Sequence, residues 1–165
     1  MRETTEIIKD IKTTSSAIPL QNIRFSRVSA QQGTISRLQS GIRRNTDLYK
    51  TFKKYADEEQ DPKLKARFIR DSQRYENRLS EEQKSLANAQ ARYTEANTNY
   101  DALQSALNEL AKAEEPLKIL EDLGKVITAM KNLGQDTKQL EELYTELLAS
   151  LEQEFTVILE YAVSA

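Results

Sequence analysis

The chain has 165 residues, 38 of them Ile, Leu, Val or Phe, and a formal net charge of −2. That apolar share lies above the level at which chains fail to bury enough surface to fold, and so small a charge adds no self-repulsion. Four Gly and three Pro exclude collagen and most turn-rich all-β folds, while the absence of Cys, His and Trp removes disulfides, thiolate and imidazole chemistry and the usual zinc ligands together.

Residues 2–14 read as a short helix with Ile7, Ile8 and Ile11 on one side. Residues 13–22 carry Thr13, Thr14, Ser15, Ser16 and Pro19, which compete with or restrict helical backbone. Residues 1–22 are therefore expected to form a short helix and a mobile arm, with 23–165 as one elongated helical domain. A helix starting at residue 23 or 28 and running to 59 follows. Its apolar positions Ile35, Leu38, Ile42, Tyr49, Phe52 and Ala56 step by three and four, with Asn45 in the one polar slot. Gly33 and Gly41 lie inside it, each at a cost of about 1 kcal/mol relative to Ala.

Asp61 and Pro62 mark the next boundary, a capping carboxylate followed by a residue whose missing N–H costs nothing at the first helical position. A long helix then runs to about residue 113. Its seam is Phe68, Ser72, Tyr75, Leu79, Glu82, Leu86, Ala89, Tyr93, Ala96, Tyr100, Leu103, Leu107 and Leu110, an unbroken alternation of four and three. Glu82 interrupts it, and two readings stand side by side: a register-setting buried charge, or a position that faces solvent or meets a passing Lys or Arg. Pro116 starts a shorter helix with a broad face of Leu117, Ile119, Leu120, Leu123, Val126, Ile127, Met130 and Leu133, closed by Gly134. Asp136 caps a last helix running to about residue 163 through Leu140, Leu143, Tyr144, Leu147, Leu148, Leu151, Phe155, Ile158 and Tyr161. Faces that wide imply more than one neighbour each, and short turns imply antiparallel neighbours. The expected fold is all-α: an elongated antiparallel coiled-coil hairpin with a helical bundle at one end, about four main helices plus the short N-terminal one.

Nothing in this pattern carries catalytic chemistry. There is no Gly-x-Ser-x-Gly elbow, the four glycines are too dispersed for a phosphate loop, and adjacent carboxylates such as Glu81 and Glu82 point in different directions on a helix. No enzyme, no small-molecule substrate, no cofactor and no metal site are expected. Residues 1–16 include Glu3, Glu6, Lys9, Asp10 and Lys12 with no long apolar run, and no stretch approaches the ~18 apolar residues of a membrane span. The expectation is a soluble, cytoplasmic protein.

Charge is unevenly placed. Residues 1–100 hold 19 Lys and Arg against 13 Asp and Glu, and residues 101–165 hold 5 against 13. Such asymmetry points to a partner, or to contact between opposite ends of neighbouring copies. Arg37, Arg43, Arg44 and Lys50 lie opposite the seam of their helix, Lys53 and Lys54 extend that face, and Arg67, Arg70 and Arg74 lie across the turn. A hairpin would gather them into one basic surface for an anionic membrane, nucleic acid or acidic protein. Long antiparallel helices with a basic face are similar in architecture to BAR-type membrane-curvature modules, which implies a membrane surface as the alternative partner. The primary expectation is a scaffold or adaptor that assembles with itself or with other helical proteins, the interface being the seam Phe68, Tyr75, Leu79, Leu86, Tyr93, Tyr100, Leu103, Leu107 and Leu110.

Overall fold

The computed structural model describes residues 2–164 and is all-α. Its elements are α1 (Thr4–Ser16), α2 (Leu20–Arg24), a π-helical turn (Phe25–Ser29), α3 (Ala30–Glu58), α4 (Pro62–Lys112), α5 (Pro116–Asn132) and α6 (Lys138–Ser164). Two compact units result: a hairpin, Val28–Glu95, and a bundle in which Met1–Arg27 joins Ala96–Ala165.

The hairpin is built as its heptads require. Asp61 Oδ1 accepts a hydrogen bond from the Lys63 amide at 3.1 Å, so the capping carboxylate satisfies an otherwise orphaned N–H at the start of α4. From there α4 runs antiparallel to α3. The Phe52 ring stacks on Tyr75 with centroids 5.6 Å apart and planes 7° from parallel, and Gln32 Nε2 donates to the Tyr93 hydroxyl at 3.0 Å. Every seam position of α4 from Phe68 to Leu110 is buried or half-buried, as are Ile35, Leu38, Ile42, Tyr49, Phe52 and Ala56 on α3.

Two polar positions of this seam, Asn45 and Glu82, meet each other. Asn45 is buried and its Nδ2 donates to Glu82 Oε1. Glu82 is half-buried, and its partner is Asn45 rather than a passing cation. Glu82 Oε2 is buried without a hydrogen-bond partner. It lies against Gly41, where an added Cβ would sit 3.1 Å from Oε2. Glycine at 41 thereby makes room for the carboxylate, which explains a residue that otherwise weakens its helix. Gly41→Ala should for that reason gain little or lose stability in the native sequence, yet gain up to about 1 kcal/mol in a Glu82→Ala background, where only helix propensity counts. A double-mutant cycle by urea denaturation measures the difference.

The bundle buries its apolar side chains more completely. Ile7, Ile11, Leu103, Leu110, Ile119, Leu123, Val126 and Leu147 are each below 2% exposed. The α5–α6 turn closes as Gly134 predicts. Gly134 has φ +68°, the Gln135 amide bonds to Met130 O at 3.0 Å and the Gly134 amide to Lys131 O at 2.9 Å. These are the paired bonds that satisfy the last carbonyls of a helix ending in a left-handed residue. Asp136 Oδ1 then accepts from the Lys138 amide at 3.0 Å and starts α6. Leu117, counted in the apolar face of α5, is instead 71% exposed. It stands at the second helical position, before the face turns inward.

The N-terminal segment departs most from expectation. Instead of ending in an arm, α1 runs to Ser16, and its Ile7 and Ile11 are fully covered. Thr4 Oγ1 lies 2.5 Å from Ser150 Oγ and donates to Glu154 Oε1 at 2.6 Å, both on α6. Lys12 Nζ donates to Ala113 O at 2.6 Å, where the carbonyls ending α4 lack intrahelical partners. Arg2 pairs with Asp10 and with Glu146, the latter at 2.8 Å, and its pKa is raised further, chiefly by the hydrogen bond to Asp10. Three isoleucine-sized anchors outweigh the weak helix propensity of Thr and Ser, since burial of Ile7, Ile11 and, on α2, Ile23 is worth about 2 kcal/mol each.

Candidate interaction surfaces

The nine cations expected to form a basic surface are all exposed. On α3, Arg37 and Arg44 are seven residues apart and share one row, while Arg43, Lys50 and Lys54 share another. On α4, Lys63, Arg67, Arg70 and Arg74 step by four, three and four and so form a single stripe. Among the described residues of the hairpin the one ion pair is Arg74 with Asp71, at 3.5 Å. Lys53 Nζ lies 5.7 Å from the Tyr49 ring centroid, and the Arg74 and Arg78 guanidiniums lie 5.8 and 5.4 Å from that of Tyr75. Such contacts hold the stems against the seam and leave the charge outward. The structure therefore gathers Arg67, Arg70 and Arg74 with Lys63 on one strip. It spreads the α3 cations over a wider arc.

A second surface lies on α6. Its first half packs: Leu140, Leu143, Leu147 and Ser150 are buried. From Glu152 to Ser164 every residue is exposed. Phe155 is 62% exposed, Ile158 63%, Tyr161 78% and Val163 86%. Beside this stretch an open groove of about 820 Å³ runs between the start of α1 and α6, lined by Thr4, Thr5, Ser150, Gln153, Val157 and Ile158. Phe155, Ile158 and Tyr161, expected on the packed face of the last helix, are exposed instead. The signal was available: α5 has 17 residues and α6 has 27, so an antiparallel α5 cannot cover the last turns of α6.

A buried charge lies in α5. Asp122 is 0% exposed, with Lys118 Nζ 3.0 Å from its Oδ1 in an ion pair misaligned for a directed hydrogen bond. Oδ2 has no donor. The Lys118 pKa is raised by this carboxylate contact. Among the described residues no group of three or more His, Cys, Asp or Glu is placed to hold a metal ion, and no helix is long and apolar enough to cross a membrane. No family model, no curated protein and no solved structure matches the chain.

Proposed function

We propose that this protein is a non-catalytic helical scaffold or adaptor that assembles with itself or with other helical proteins. The observation that carries the reading is the uncovered apolar stretch of α6. Leu148, Leu151, Phe155, Ile158 and Ala162 step by three and four, the spacing of a coiled-coil seam, and all but Leu151, which is half-buried, are exposed. Exposed apolar surface of that continuity marks interaction sites. The second reading, a binder of anionic membrane or nucleic acid, rests on the exposed cations of α3 and α4.

Light scattering across a concentration series tests the first reading, and co-sedimentation with anionic vesicles or retention of DNA tests the second. A scaffold shows mass that rises with concentration and no vesicle or DNA binding at ~150 mM salt. Binding by the wild type that falls steeply with salt, and that Arg37→Glu, Arg43→Glu, Arg44→Glu and Lys50→Glu together abolish, would reverse the order of the two. These substitutions face away from the seam, so each should shift stability by less than ~0.5 kcal/mol.

A further inference from the structure

We infer that the exposed seam of α6 docks on the turn end of the α3–α4 hairpin of a second copy of this chain, head to tail. The inference rests on the scaffold reading and names its partner. Three observations converge on it.

Size is the first. Phe155, Val157, Ile158, Leu159, Tyr161 and Val163 are between 49% and 86% exposed. These positions ring the helix, so the share on the face of Phe155 and Ile158 is on the order of 400 Å², which fits a weak, concentration-dependent contact.

Charge is the second. Between residues 139 and 164 there are six Glu and no Lys or Arg, and Glu152 and Glu154 flank the seam on its two sides. Two copies of α6 laid together would set these carboxylates against one another, which disfavours pairing like with like. The seam therefore calls for an apolar surface edged by cations.

The third is that this chain carries such a surface on its other unit. At the turn end of the hairpin, residues 60–67 are exposed on every side. Tyr55 and Leu64 are 47% and 39% exposed there. Beside them runs the stripe Lys63, Arg67, Arg70 and Arg74, of which Arg74 alone has an ion-pair partner among the described residues. The hairpin unit as a whole holds 14 Lys and Arg against 10 Asp and Glu, and the bundle unit 10 against 16. A contact between two different patches is heterologous, so it propagates into an open chain unless its rotation closes a ring.

Two variants and their mixture test this. One carries Phe155→Asp with Ile158→Asp; the other carries Arg67→Glu, Arg70→Glu and Arg74→Glu. All five side chains are exposed, and circular dichroism checks that the helices are retained. By sedimentation velocity at low salt, the wild type should grow in mass with concentration and revert to monomer as salt rises. Each variant alone should stay monomeric, and an equimolar mixture should form a 1:1 dimer, because each supplies the surface the other lacks. If the arginine variant assembles like the wild type while the Phe155/Ile158 variant does not, α6 pairs with itself or with another face and the inference is overturned. If both variants assemble as the wild type does, it is overturned while self-assembly stands. A wild type that is monomeric at every concentration overturns it too, and one that also sediments with anionic vesicles overturns the scaffold reading with it.

Discussion

Leu123→Ala should cost about 3–5 kcal/mol, and Leu86→Ala, the same chemical change, less than half as much. Leu123 is 0% exposed in the bundle, between Leu120 and Val126 on the inward face of α5, where the surrounding helices cannot collapse onto the cavity. Leu86 is half-buried in a two-helix seam, so truncation there exposes a shallow groove that water fills. A loss of the larger size consumes much of the 5–15 kcal/mol by which domains are stable. Urea denaturation of both variants, with hydrogen exchange to assign each loss to its unit, measures the contrast. Equal losses would mean that the hairpin seam is packed as tightly as the bundle core. Leu86→Asp puts a carboxylate at the same half-buried site and should cost more than the truncation, since part of the charge is held against the apolar seam.

Asp122→Ala should raise stability, by about 1–3 kcal/mol, although it removes one half of an ion pair. The carboxylate is 0% exposed, one of its oxygens lacks any donor, and its single cationic contact is with Lys118, whose side chain is 45% exposed and remains hydrated. Attraction to such a cation does not repay the desolvation of a carboxylate. Lys118→Met acts the other way: it leaves Asp122 buried with no counter-charge and should destabilise. The sign with pH follows. Lys118 titrates above its ordinary value near 10.5 in the folded chain. The stability contributed by the contact is therefore complete below about pH 10.5 and is lost as pH rises through the folded value. Thermal melts of the two variants at pH 7, and of the wild type between pH 9 and 12, check the opposite signs and the alkaline loss. A less stable Asp122→Ala would show that the pair is net favourable.

Much of this architecture is legible in the sequence because helices announce themselves locally. The heptad spacing from Phe68 to Leu110, the Asp61–Pro62 start and the left-handed Gly134 are each decided within a few residues, and each is found where the spacing puts it. What is not legible depends on distance along the chain. Asn45 and Glu82 are each visible as polar interruptions, but that they face one another follows only from the register of the hairpin, 37 residues apart in sequence. The N-terminal isoleucines read as a marginal isolated helix because nothing local reveals that Ser150 and Glu154, some 146 and 150 residues away from Thr4, close over it. The apolar end of α6 reads as core because periodicity tells which way a side chain points, not whether a neighbour reaches that far. Candidate surfaces fare similarly. Exposure of the cations follows from their position opposite the seam, and the four-three-four spacing of Lys63, Arg67, Arg70 and Arg74 already puts them on one stripe; that Arg74 alone of the four has an ion-pair partner among the described residues emerges from the structure.

The Asn45–Glu82 layer has a consequence for how the hairpin tolerates change. A run of apolar heptads is nearly degenerate under translation: sliding one helix past the other by seven residues sets apolar side chains against apolar side chains again. The polar layer lifts that degeneracy. A slip of one heptad would bring Glu82 against Leu38 or Phe52 and strand Asn45, burying both polar groups unpaired. The layer thus works as an index mark on an otherwise unmarked scale. It follows that the spacing between Asn45 and Glu82 is the least free length in the hairpin. A seven-residue insertion between them, on one helix alone, would keep the apolar repeat intact and still misalign the mark. Matched seven-residue insertions in both helices, on the far side of the layer, would lengthen the hairpin and keep the mark in line.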